Sequence, residues 1–393
     1  MDLLRRVKNR IKRIIRKNYW AINSDNFELY DSYDVFERIY EIKPDTYENI
    51  HIPDIYKLSK KYEIEAFSPS MGIYSVKNAK ISLNSDVTVV DGKVLWDKYF
   101  NLMFYKTNFL DDDIIRYDDK TVRIKRYKNT EKVEGKCLSL LGKFSDYWSH
   151  FILQYASKMY FAKEAGLLNN NLTVIVPNYK DEHVKKIVSD YLGPYGVKIL
   201  VAHEKTRYEC EELLFIPSSI AYPNSLDYFL SQDAVFPKIT KQGIRETVIE
   251  PYIKDVKEYG HSNKIFLVRR ASIRNLANWK EVEDYFISEG FELIEPHKYS
   301  FEEKVSIFRN ADYVVGASSS SFYGMLWCKQ DTKFLRFSTL ARIPEPTVNE
   351  FATMTGSKLL TLTGNDLEKN NPHAMYYISL DKIKKAYAYL KDM

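Results

Sequence analysis

A chain of 393 residues exceeds one ordinary hydrophobic core and predicts two domains. With 45% hydrophobic and 28% charged residues the composition is globular, which excludes a disordered chain, and no apolar run is long enough to span a membrane. The net charge of +5 is concentrated in residues 1–17, which carry eight Lys/Arg against one Asp, a local +7 that leaves −2 for the rest. The body therefore lacks the general basicity of a nucleic-acid-binding protein. Cys137, Cys210 and Cys328 are odd in number and far apart. Neither a disulfide framework nor a metal-ligand spacing is expected from them, and a reducing cytoplasm fits.

The first predicted element is a basic amphipathic helix over residues 1–22. Leu3, Leu4, Val7, Ile11, Ile14 and Ile15 recur at helical spacing among the cations, and Tyr19 and Trp20 follow. Such a helix suits an anionic membrane surface, contacted through residues 1–20. The plainer alternative is a helix docked on the body by its Leu/Ile stripe. Residues 24–130 read as mixed and β-rich, with a turn signal at Asp91-Gly92. The run Asp111-Asp112-Asp113 has the look of a metal site, but a surface turn is expected there.

From about residue 134 the pattern becomes α/β. KCLSLLG, LTVIVP, VKILVA and ELLFIP read as strands. SHFILQYASKMYFAKEAG and DEHVKKIVSDYLGPYG read as helices. Residues 224–260 are less regular. The alternation then restarts with strands KIFLVRR, FELIEP, DYVVGA and TKFLRF, and with helices NWKEVEDYFISEG, SFEEKVSIFRNA and SFYGMLWCK. Two tandem units of parallel sheet and crossover helices are expected, with ligands at the C-terminal sheet edges. The predicted domains are 1–22, the helix; 23–235, a β-rich extension with an α/β unit; 236–380, the second α/β unit; and 381–393, a terminal helix.

Several residues sit where such sheets do chemistry. Ser318, Ser319, Ser320 and Ser321 fill a strand-to-helix turn. Free N–H groups at the helix start, together with the hydroxyls, suit a phosphate or diphosphate. A simple cap by Ser318 or Ser319 is the plainer reading. Arg269, Arg270 and Arg274 follow the neighbouring strand, and arginine pairs bidentately with phosphate oxygens. Pairing of these arginines with Glu281 or Glu283 is the alternative. His150 lies where a loop becomes a helix, the position of a general base, with Asp146 close by as a further candidate or a turn residue. Ser300 and Glu303 are accounted for by a helix capping box.

Three segments, in order, resemble glycosyltransferase family 61. They are W148-S-H-F-I-L-Q-Y-A-S-K158, R269-R-A-S-I-R274-N-L-A-N278 and SFEEKVSIFRNADYVVGASSSSFYGMLW. The resemblance spans about residues 134–380. It departs at the turn, where four serines replace a His-Gly-Ala-Gly/Ala pattern. It departs also at Gln154, where the family carries Asp or Glu, at Ser157-Lys158, where it carries Pro-Arg, and at Arg336, where it carries Glu. Gln154 cannot act as a base.

The resemblance implies a GT-B-like α/β fold, with two Rossmann-like parallel-sheet domains facing a cleft. It implies a glycosyltransferase that moves a sugar, with inversion, from a nucleotide-sugar donor to a glycan or lipid-linked acceptor, as in capsular or cell-surface polysaccharide synthesis. The donor diphosphate would take Arg269, Arg270, Arg274, Asn278 and Ser318–Ser321. His150 and Asp146 would be catalytic. No metal, cofactor or nucleic acid is expected, and the location would be cytoplasmic, peripheral to the inner face of the plasma membrane. The alternative is an inactive glycan-binding or scaffold subunit.

Overall fold

The computed structural model describes residues 24–30, 35–44, 46–52, 56, 62–68, 70–95, 113–117, 121–217, 222–223, 236–339, 346–368 and 373–393. The basic helix expected over residues 1–22 lies outside the described residues, as do Asp111 and Asp112. Two compact units divide the chain. One is drawn from Met1–Pro44 and Ser70–Ser219, the other from Asp45–Pro69 and Ile220–Met393. The excursion of residues 45–69 into the second unit has no compositional signal. It is decided by tertiary pairing: Thr46–Ile52 and Tyr62–Ser68 form an antiparallel pair that Tyr222–Pro223 extends to three strands.

The first unit is built on an 11-stranded sheet. Lys198–Ala202, Leu172–Pro177, Asn129–Ser139 and Thr206–Phe215 lie side by side in that order, all parallel. LTVIVP is almost wholly buried, as a parallel strand covered on both faces must be. Met71–Ser82 then pairs antiparallel with Thr206–Phe215. The β-rich region is thus a continuation of the α/β sheet, because a strand edge left open by the parallel strands is taken up by it. Asp91 and Gly92, both at positive φ, close the hairpin between Thr88–Val90 and Lys93–Leu95.

Asp113 corrects the expectation of a surface turn. It is 1% exposed, accepts hydrogen bonds from the Ser82 and Tyr127 hydroxyls, and lies 3.7 Å from the Arg207 guanidinium. A carboxylate is tolerated at that depth because these neighbours are donors or cations.

In the second unit a six-stranded sheet runs in the order Glu292–Ile294, Lys264–Leu267, Tyr313–Ala317, Lys333–Thr339, Lys358–Asp366, Tyr376–Tyr377. The first five are parallel and the last antiparallel. In chain order this is 2-1-3-4-5-6, an arrangement of doubly wound sheets whose switch point falls between Lys264–Leu267 and Tyr313–Ala317. Phe266, Val315, Leu335 and Leu360 from the strands pack with Phe286 of the helix Trp279–Ser288. Ile383, Tyr387 and Leu390 of the terminal helix Leu380–Asp392 complete the same core. That helix, read from the sequence as a separate segment, thus buries its apolar stripe in the second unit.

The helix Phe301–Asn310 opens with the expected capping box: Ser300 Oγ accepts from Glu303 N–H at 3.2 Å, and Ser300 N–H donates to Glu303 Oε2 at 2.9 Å. Its Phe308 ring lies so close to Gly324 that any Cβ there would overlap it. Gly324→Ala is therefore expected to cost about 1–3 kcal/mol by overpacking. Thermal unfolding should show a Tm lowered by roughly 3–10 °C. The fold as a whole is mixed α/β with parallel strands in both units, compatible with a GT-B-like architecture.

Candidate functional site

The switch point of the second unit brings two of the predicted segments together. Lys264–Leu267 and Tyr313–Ala317 pair in parallel, Leu267 opposite Gly316. The arginine loop leaves the first strand and the serine turn leaves the second, so both emerge at the same sheet edge. Ligands of doubly wound sheets bind at this place.

The serine turn is not a simple helix cap. Ser318 N–H donates to Phe337 O at 2.8 Å, which prolongs the sheet ladder by one residue. Ser319 is extended, and its side chain makes no capping hydrogen bond. The helix expected from SFYGMLWCK follows as a 3-10 helix, Ser320–Trp327. Its apolar residues Phe322–Trp327 are buried, and Trp327 Nε1 donates to Val248 O at 2.8 Å. A 3-10 run of eight residues is unusually long, and it is held in place here with Phe322–Trp327 buried.

In the arginine loop the predicted residues divide by what they touch. Arg270 forms an ion pair with Glu283, which is 4% exposed, and its guanidinium lies 4.6 Å from the Trp279 ring centre. This is the alternative left open by the sequence. Asn278 spends its amide protons on Ile378 O and Glu281 Oε2, both at 2.9 Å. Arg269 reaches Ile273 O at 3.2 and 3.3 Å across its own loop. Arg274 has a φ of 52°, and its N–H donates to His373 O at 3.1 Å. An arginine in the left-handed region is strained, and the surrounding bonds must hold it there.

Two residues were missed by sequence reasoning. Asn275, 4% exposed, donates to Arg269 O at 2.7 Å and to Ala271 O at 3.3 Å, and so staples the loop. Its position next to Arg274 was the available signal. Arg336, noted in the sequence only as a departure, is 2% exposed and donates to Thr361 Oγ1. It stands opposite Gly316, one strand beyond the serine turn.

His150 and Asp146 lie in the first unit, on the loop after Asn129–Ser139. Trp148–His150 begins a helix that passes through a π-type turn, Phe151–Tyr155, before Ala156–Glu164 continues as α-helix. All five residues of the π-turn are buried, Gln154 among them. Phe144, at a φ of 62°, places its ring 4.8 Å from the His150 ring and 5.6 Å from that of Tyr147. His150 keeps one edge toward solvent, but its Nδ1 is shut off and has no hydrogen-bond partner among the described residues. Burial pushes the imidazole down to about 4. At neutral pH it is therefore uncharged and able to take a proton, though as a weaker acceptor than a histidine poised near 7. Asp146 is partly exposed in the turn before the helix.

Among the described residues no group of three or more His, Cys, Asp or Glu is placed to hold a metal ion. No helix among them is long and apolar enough to cross a membrane.

A small-residue turn and an arginine loop at the switch point of a parallel sheet define an α/β unit suited to an anionic ligand. Residues 148–335 match the family model described as Glycosyltransferase 61, which supports the resemblance drawn from the motifs. The match takes in His150, the arginine loop and the serine turn, and Asp146 falls just before it. The match supports glycosyltransferase activity. None of the curated proteins matches the chain.

Proposed function

We propose that the protein transfers a sugar, with inversion, from a nucleotide-sugar donor to a glycan or lipid-linked acceptor in the synthesis of capsular or other cell-surface polysaccharide. The observation that carries this reading is the emergence of the Arg269–Asn278 loop and the Ser318–Ser321 turn from adjacent parallel strands, inside the family-matched segment. In this reading Arg269, Arg274 and the turn receive the donor diphosphate. Arg270 and Asn278 support the loop through Glu283 and Ile378. The cations stabilise the negative charge that develops on the departing nucleotide, a task that a metal performs in other transferases. The acceptor hydroxyl attacks the anomeric carbon, the bond to the nucleotide phosphate breaks, and His150 takes the hydroxyl proton. The basic segment 1–22 would hold the enzyme at the inner face of the plasma membrane, beside a lipid-linked acceptor.

The test is thermal stabilisation by a panel of UDP-, GDP- and CMP-linked sugars, with and without EDTA, followed by turnover assays on the ligands that bind. Stabilisation by one nucleotide class that ignores EDTA is expected. Stabilisation abolished by chelation would remove the metal-free mechanism. A panel without any effect would favour the non-catalytic glycan-binding reading, for which the buried Gln154 in place of an acid is the specific support.

A further inference from the structure

Ser145 Oγ, His150 Nδ1 and the Tyr179 hydroxyl, all in the first unit, are shut off from solvent and have no hydrogen-bond partner among the described residues. Ser145 is 0% exposed and Tyr179 8%. They follow the ends of two neighbouring strands. Asn129–Ser139 and Leu172–Pro177 are parallel, Ser139 opposite Ile175, and Leu140 N–H prolongs the pairing to Ile175 O at 2.9 Å. Ser145 and His150 lie on the loop after the first strand, and Tyr179 lies just past the second. The two loops meet: the Tyr179 ring stands edge-on to Phe151 at 5.9 Å, one residue beyond His150. Burial, reinforced by the Asp146 charge, holds the proton on the Tyr179 phenol.

The hydroxyls of Tyr155 and Tyr208 in the same unit have partners. Tyr155 is placed to donate to Asp86 Oδ1 and Lys143 O, both at 3.2 Å, and Tyr208 accepts from His203 N–H at 2.8 Å. An orphaned buried polar group is costly, so three of them on the two loops that leave one sheet edge call for an outside partner.

We propose that Ser145, His150 and Tyr179 form a subsite for an uncharged, polyhydroxylated ligand, the glycan end of the acceptor. The word acceptor rests on the transferase reading above; the binding of a glycan does not. The chemistry selects hydroxyls. Serine and tyrosine each offer a donor and an acceptor, neutral imidazole offers one or the other at Nδ1, and a sugar hydroxyl answers both. The charged side chains on this loop, Lys143 and Asp146, are opposite in sign, and the Lys143 ammonium lies over the Phe144 ring at 4.8 Å.

Tyr179→Phe and Ser145→Ala remove the hydroxyls and little else. Binding of the methyl glycosides of glucose, galactose, mannose and N-acetylglucosamine to the full chain is followed through the His150 imidazole resonances, assigned with His150→Gln. At least one glycoside should shift those resonances, and Tyr179→Phe should weaken its binding about tenfold or more. The Tm of both variants should equal or exceed that of the parent, because an unsatisfied group has been removed. A Tm lowered by several degrees in both would show that the hydroxyls serve the fold through internal water, and would overturn the proposal. So would a panel that leaves the His150 signals unmoved. Tyr179-dependent glycoside binding without turnover of any nucleotide sugar would keep the subsite and reject the transferase reading.

Discussion

Replacing Arg269 and Arg274 together by alanine is expected to weaken nucleotide-sugar binding about a hundredfold or more, while the protein stays folded. Each charge-assisted hydrogen bond to a phosphate contributes on the order of 1.5–3 kcal/mol, and two such contacts are removed. Arg270→Ala supplies the contrast. Its guanidinium is engaged by Glu283 and Trp279, so its loss strands a buried carboxylate and should lower Tm with little change in affinity. Calorimetric titration with the nucleotide sugar that gives the largest thermal shift, beside melting curves of all three proteins, makes the comparison. Unaltered affinity in the folded double variant would remove the donor assignment. Equal loss of affinity in Arg270→Ala would return that residue to the ligand.

The second large effect is expected at His150. His150→Gln should lower kcat by roughly 10²–10⁴ if the imidazole takes the acceptor proton. Burial holds the group at about 4, so its charge state should not change between pH 6 and 8, and the parent's profile should lack a histidine limb there. Stability carries the same signature with a definite sign. The folded value lies below the ordinary 6.5. Above pH 6.5 both states are neutral at this residue. As pH falls from 6.5 toward 4 the unfolded chain takes up a proton that the folded site refuses, and stability drops. The loss is at most about 3 kcal/mol, an upper bound because one edge of the ring meets solvent. Denaturant unfolding at pH 7 and pH 4.5, in parent and His150→Gln, measures it. An identical pH dependence in the two proteins would contradict the burial argument, and a kcat within tenfold of the parent would reject His150 as the base.

The sequence by itself determined the alternation of strands and helices from residue 134 onward, the capping box at Ser300 and the family motifs. Each of these is local: hydrophobic period, a hydroxyl three residues before an acid, or a short ordered pattern. It also placed the serine turn and the arginine loop after strands, which is where a parallel sheet presents its ligands.

Tertiary structure alone decided the rest. The sequence already suggested that the strands before the arginine loop and the serine turn are neighbours, but the register that sets Leu267 opposite Gly316 and puts both segments at one switch point comes from the tertiary structure. The same holds for residues 45–69, which join the second unit through strand pairing, and for Asp113, whose burial depends on donors far away in the chain. Ser145 and Tyr179 showed no pattern at all in the sequence. A hydroxyl becomes conspicuous only when the fold has surrounded it and left it without a partner, and that is a property of packing rather than of residue type.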